Sequence, residues 1–186
     1  MGGQGGLTLS RTLAAAAVLE GFSVRTGETL GMSQRFGSVV SYVRIGDRVL
    51  SPTFSDGGAD FILGLELVET ARTLKLLKPG GVVVASDAVK PPVSASLSRE
   101  FCDKKKLLET IGSAASTVVV VPARRLATGA GNPRAANMVI LGAFYTLQNT
   151  LSADSIRRAI SEVVPSKWLE SSLRAFELGV SYLRRA

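Results

Sequence analysis

The sequence predicts an α/β protein of three layers, α/β/α, built on a mostly parallel Rossmann-like sheet with an antiparallel hairpin at about 38–54 and a helical C-terminal third. Three observations predict it. The runs ADFILGLE (59–66), VVVAS (82–86) and TVVVVPA (117–123) are apolar without alternation, as strands covered on both faces are. Helical patterns at 67–81 and about 98–112 lie between them, the strand–helix–strand alternation of a parallel sheet. Beyond residue 130, three segments carry helix-start signals and no further strand-like run.

The elements follow in order. Residues 6–21 read as a helix, with Leu9, Leu13, Ala17 and Val18 near one face and Gly21 as its stop. Ser23 to Thr26 is a short strand. Residues 38–54 hold two β-rich runs around Gly46-Asp47, a hairpin signal, closed by Pro52. In 67–81, Leu67, Ala71, Leu74 and Leu77 recur at helical spacing, and Pro79-Gly80-Gly81 terminate the run. The helix over 131–147 opens with Asn132 as N-cap and Pro133 at the first helical position. Ser152 is the expected cap of a helix over 151–164, and Ser166 that of one over 165–186. The last carries an apolar stripe of Trp168, Leu169, Leu173, Phe176, Val180 and Leu183, suited to packing on the sheet or on another subunit.

No repeat or linker divides the 186 residues, so one domain over 1–186 is expected, long enough to bury about 70% of its unfolded surface. Apolar residues are 46% and charged residues 20%, a globular composition. No apolar run reaches the ~20 residues of a membrane span, and no signal-peptide pattern opens the chain, so the cytoplasm is the simplest location. Histidine is absent and Cys102 is the single cysteine. These counts exclude an internal disulfide and a four-cysteine cluster or zinc site held by this chain alone, and they remove the commonest general acid–base. Any redox centre belongs on another molecule. Net charge is +7, but the basic residues are scattered and aromatics are 6%, which argues against a nucleic-acid surface.

The chain opens MGGQGG, glycines running into an alanine-rich helix. As a dinucleotide fingerprint this is incomplete, because Thr8 stands where a third small residue is needed, although Glu28 lies at about the right distance. A Walker loop is excluded, since no Gly-Lys-Ser/Thr occurs. What remains is a helix N-terminus whose bare backbone can approach an anion or another chain closely, or a tight turn seating the helix on the sheet. A self-sufficient nucleotide-binding enzyme or regulator using this loop and Glu28 is the alternative function.

Four segments in order, GGQG (2–5), ETLGMSQRFGSVVSYVRIG (28–46), AGNPRAANMVILGAF (130–144) and LRAFELG (173–179), carry a resemblance. Over nearly its whole length the chain resembles the gamma-type subunit or domain of 2-oxoacid:ferredoxin oxidoreductases. Within that family it looks most like the smaller, beta subunits of indolepyruvate ferredoxin oxidoreductases. Phe36, where a small residue is common, and Tyr42, where histidine is frequent, depart from the pattern and bear on the substrate. The resemblance implies an accessory subunit, inert alone, of a complex that oxidatively decarboxylates a 2-oxoacid to an acyl-CoA and reduces ferredoxin. It implies thiamine diphosphate, Mg and iron–sulfur clusters on a large catalytic partner subunit, CoA as co-substrate with a possible contact to this chain, and ferredoxin as acceptor. No cofactor is expected on this chain alone.

With the resemblance in hand, the expected contact residues are Gly3, Gln4, Gly5 and Gly6 of the loop, Ser33, Gln34 and Arg35, and Asn132, Arg134 and Asn137. Arg35 offers a fork of donors suited to phosphate or carboxylate. Arg134 and Asn137 lie three apart near a helix start, behind a Gly129–Gly131 loop, where a second anion or subunit contact is expected. No catalytic or metal-ligating residue is assigned. Asp87 ends a strand where open α/β sheets place ligand loops, and Cys102 reads as a packed or surface residue. Relatives implied by the resemblance carry an apolar strand before GGQG, so the sheet is expected to lack an interior strand. Either the natural start lies upstream or another segment covers the gap.

Overall fold

The computed structural model describes residues 5–30, 39–90 and 103–185. Its parallel sheet has the order β3-β4-β5, from strands Ala59–Gly64, Leu77–Ser86 and Thr117–Val121. A separate antiparallel pair joins β1 (Ser23–Leu30) to β2 (Val39–Gly46), with Ser23 opposite Gly46 and Leu30 opposite Val39. Side chains of β4 alternate between two cores, as a strand covered on both faces must. Val84 joins the larger core, formed with α1 (Gly6–Leu19), α4 (Ala123–Gly129), α5 (Ala136–Tyr145), α6 (Ala153–Val163) and α7 (Ser166–Arg184). Val83 and Ala85 face the smaller one, under α2 (Leu67–Thr73) and α3 (Lys104–Ala114). The larger core spans both sheets, since Val24, Val43 and Ile45 pack on it with Phe61, Leu63 and Val119. Phe61 of β3 meets Phe144 of α5 edge to face, ring centres 5.0 Å apart.

Local chemistry explains where the helices stop and start. Gly21 takes φ +86°, and the amides of Gly21 and Phe22 donate to the carbonyls of Val18 and Ala17. That pair of bonds is a Schellman stop, which needs a residue without Cβ at the left-handed position. The same device ends α4. Gly131 has φ +90°, its amide donates to Thr128 and that of Asn132 to Ala127. Asn132 then starts the next helix, its Oδ1 accepting from Arg134 N at 3.1 Å ahead of a 3-10 turn, Pro133–Ala135, that leads into α5. Ser152 caps α6 by accepting from Ser155 N at 3.1 Å. The segment 47–58 lies against the β1–β2 pair. Arg44 Nη1 donates to the carbonyls of Ser51 and Thr53, the Phe54 ring stands edge-on to Tyr42 at 5.3 Å, and Pro52 sits on Gly27, where a Cβ would come within 3.0 Å. Tyr42 is thus a packing residue of this ribbon.

Several expected elements take other bounds. The antiparallel pair is present, but β2 pairs with the strand before it instead of with 48–54, and β1 runs on to Leu30. The helix from Leu67 ends at Thr73. After one 3-10 turn, Leu77 is already in β4 opposite Ala59, its side chain buried in the smaller core. A long-range pairing therefore overrides a helical pattern that Leu77 satisfied. Helix α4 was not expected: β5 ends at Val121 and Pro122 leads straight into it. Ser166 does not cap α7; Pro165 occupies that position with no side-chain bond. The predicted helix over 98–112 is found as Lys104–Ala114, its first residues through Cys102 lying outside the described residues.

Candidate functional site

Of the described candidate residues, Gly5, Gly6 and Asn137 come together where β3 ends and α1 begins. Gly5 is the N-cap of α1 with φ +82°, and its carbonyl accepts from Leu9 N at 3.0 Å and from Asn137 Nδ2 at 3.0 Å. A Cβ on Gly5 would lie 2.6 Å from that same amide nitrogen, so glycine is required by conformation and by space. A Cβ on Gly6 would come within 3.9 Å of Leu65, just past the carboxyl end of β3. The glycine turn and the first turn of α5, far apart in sequence, thus form one structure at the sheet edge where open α/β folds place ligands.

The other polar residues divide sharply. Asn137 is 5% exposed, and its Oδ1 accepts from Met138 N at 3.0 Å. Asn132 is also buried and donates from Nδ2 to Ser171 Oγ at 3.4 Å. Neither amide is turned outward for a ligand. The expected Gly129–Gly131 anion loop is instead the Schellman turn between α4 and Asn132, with Gly129 as the last residue of the helix. Arg134 differs: it is exposed, and no ion pair or side-chain hydrogen bond holds it among the described residues. Gly3, Gln4, Ser33, Gln34 and Arg35 lie outside the described residues. Glu28 is exposed on β1 opposite Ser41, and Gly3 of the dinucleotide pattern lies outside the described residues.

One residue here escaped sequence reasoning. Glu66 is 1% exposed and caps α2, its carboxylate accepting from the amides of Val68 at 2.9 Å, Glu69, and Lys90 at 3.4 Å. Thr70 Oγ1 donates back to the Glu66 carbonyl and lies where a Cβ on Gly64 would have to go. Glutamate is not among the favoured caps, and its partner at Lys90 is remote, so no local signal marks it. Asp87 is half-buried, and its amide donates to the Val121 carbonyl at 3.0 Å, tying the ends of β4 and β5. With Leu67 N donating to the Ala88 carbonyl at 2.8 Å, these bonds make the edge a stiff frame.

Among the described residues this edge presents backbone, and the unpaired guanidinium of Arg134 lies in the turn ahead of α5. No group of three or more metal-ligating side chains exists among the described residues. No helix among them is long and apolar enough to cross a membrane.

Comparison with known proteins places this arrangement. The family model "POR: Pyruvate ferredoxin/flavodoxin oxidoreductase" matches residues 1–182. The indolepyruvate oxidoreductase subunit IorB of Thermococcus kodakarensis is 40% identical over 185 residues, 97% of this chain and 91% of that protein. Two solved structures share the fold. The gamma subunit of a keto/oxoacid ferredoxin oxidoreductase from Geobacter sulfurreducens superposes with a TM-score of 0.73 at 23% identity, covering 100% of this chain and 95% of that one. A 2-oxoglutarate:ferredoxin oxidoreductase from Magnetococcus marinus, with 2-oxoglutarate, coenzyme A and succinyl-CoA bound, gives a TM-score of 0.73 at 21% identity. It covers 100% of this chain but only 30% of its own, so there the same fold is part of a longer polypeptide. The chain belongs to the pyruvate ferredoxin/flavodoxin oxidoreductase family, as an accessory subunit of a 2-oxoacid:ferredoxin oxidoreductase.

Proposed function

We propose that this chain is the small subunit of a cytoplasmic indolepyruvate (or other arylpyruvate) ferredoxin oxidoreductase. The complex converts a 2-oxoacid and CoA to an acyl-CoA and CO2, passing the two electrons released to two oxidised ferredoxins. The observation that carries this reading is 40% identity to a named indolepyruvate oxidoreductase subunit along almost the whole chain. The donor set agrees. One cysteine and no histidine cannot ligate a four-cysteine iron–sulfur cluster here, which supports clusters on a large partner subunit, where the family resemblance also puts thiamine diphosphate and Mg. When bound there, those groups supply decarboxylation and electron transfer.

This chain's own part is to complete the partner's surface. Gly3, Gln4, Gly5 and Gly6, with Ser33, Gln34 and Arg35, face CoA or the thiamine-bearing subunit. Free amides at the start of α1 and the guanidinium of Arg134 suit the phosphates of CoA, whereas the buried amides of Asn132 and Asn137 do not serve as direct contacts. Co-expression with the large subunit tests the proposal. CoA-dependent reduction of ferredoxin by indolepyruvate is expected with both subunits present and with neither alone. Recovery of the chain as a free monomer that binds NAD or FAD tightly in calorimetry would refute it in favour of a self-sufficient nucleotide-binding protein.

A further inference from the structure

We propose that Asn137 is a positioning residue for the reaction of the assembled oxidoreductase: it holds the glycine turn at the start of α1 in its working geometry and contacts no ligand itself. The inference rests on the reading that this turn faces CoA at the partner's surface.

Helix α1 is fastened at both ends by the last third of the chain. At its start, Asn137 Nδ2 donates to the Gly5 carbonyl at 3.0 Å. At its end, Ser152 N donates to Glu20 Oε1 at 2.9 Å. Each bond joins residues 132 apart in sequence. The two settings differ. Asn137 is buried beside the carboxyl end of β3, while Glu20 is exposed at the N-terminus of α6. The 14 residues of α1 put about 20 Å between them at 1.5 Å per residue.

The Asn137 amide is committed to the protein. Its oxygen accepts from Met138 N, its nitrogen serves Gly5, and the bare Cα of Gly5 packs against it so closely that a methyl group would collide. Without that bond, Gly5 keeps only its helical partner, Leu9 N. Glycine changes φ freely, so the turn loses the one long-range hydrogen bond made to Gly5 among the described residues, at the point where α1 presents its first amides. Errors of about 1 Å in such a frame are costly to a bound reactant.

The Glu20 bond supplies the control, because Glu20→Ala loosens the same helix far from the proposed contact. Asn137→Ala and Glu20→Ala are compared in the complex co-purified with the large subunit, with CoA and indolepyruvate varied separately and thermal unfolding recorded. In N137A, kcat/KM for CoA is expected to fall about tenfold while KM for indolepyruvate, whose pocket lies on the partner, is unchanged. E20A is expected to stay within about twofold of the unaltered complex in both. Asn137→Asp keeps the shape but turns a second acceptor toward the Gly5 carbonyl, and it tests the same point should N137A fail to assemble. Wild-type CoA kinetics in both Asn137 variants, or equal losses in N137A and E20A, would overturn the proposal. Absence of CoA-dependent turnover in the unaltered complex would overturn the reading beneath it instead.

Discussion

The crossing of α5 and α7 makes the sharpest stability prediction. Gly142 and Gly179 face each other there, both buried. A Cβ built on Gly142 overlaps the Phe176 carbonyl oxygen outright and lies 2.9 Å from Val180 N and 3.0 Å from the Phe176 carbonyl carbon. On Gly179 it overlaps the Val139 carbonyl oxygen and lies 3.1 Å from Ala143 N. These are backbone atoms of the opposite helix, so no rotamer change relieves the overlap. The helices must part by more than about 1 Å to restore ordinary contact, and tight contacts around Met138, Val139 and Phe176 weaken together. Overpacking of this kind costs about 1–3 kcal/mol and sits at the upper end when backbone resists. Alanine recovers up to about 1 kcal/mol of helix propensity. Gly142→Ala is therefore expected to destabilise by about 2 kcal/mol, a fall of roughly 4–8 °C in Tm for a chain of this size. The matched control is Gly112→Ala, in the last turn of α3, exposed and with nothing near its missing Cβ, which is expected to stabilise by up to about 0.5–1 kcal/mol. Circular-dichroism melts of the two variants should move in opposite directions. Equal or favourable shifts in both would refute the argument that these glycines are there for close approach.

Two further predictions follow from helix ends. Asn132→Ala removes the acceptor for Arg134 N at the turn into α5, with an expected loss of about 1 kcal/mol in urea unfolding, and a smaller loss is expected on Asn132→Ser, which keeps a capping oxygen. Glu20 accepts hydrogen bonds at the start of α6, with Ser152 the largest influence and Ser155 the next, so its carboxyl pKa is lowered. A lowered folded value means that its contribution is complete above the ordinary carboxylate range and is lost as pH falls through the folded pKa. Glu20→Gln should therefore flatten the acid limb of the stability–pH profile and leave its alkaline limb alone; an unchanged acid limb would count against the bond.

Much of the frame was legible because it is written in local chemistry. Gly21, Asn132 and Ser152 end or begin helices where a left-handed residue or a short polar cap is needed, and each is found in that role. Apolar runs marked β3, β4 and β5 for the same reason: buried on both faces, they have no polar side to alternate. What escaped was set by distant partners. Leu77 satisfied a helical period and was claimed by Ala59 across the sheet. Glu66 caps α2 with a side chain that composition gives no reason to choose, and β1 pairs with β2 across residues 31–38 although Gly46-Asp47 offered a local turn. Of the site, the glycine turn and the segment 132–137 were singled out separately. That Gly5 and Asn137 touch could not be read from either stretch, and the contact changed the role of Asn137 from ligand to support.

This recasts what the recognisable motifs are for. In AGNPRAANMVILGAF, Gly131 stops one helix, Asn132 starts the next, Asn137 holds the α1 turn and Gly142 admits α7. In LRAFELG, Phe176 fills the core, worth about 2–3 kcal/mol by burial, and Gly179 returns the close approach at the crossing. Each of these positions joins one piece of backbone to another at a distance that tolerates a single residue type, which is why short, chemically bland stretches carry so specific a resemblance. Among the described residues, these motifs are constrained by placement. No strand of the parallel sheet holds the glycine turn by hydrogen bonds among the described residues. The helical last third does so, through the Asn137 amide at the Gly5 carbonyl.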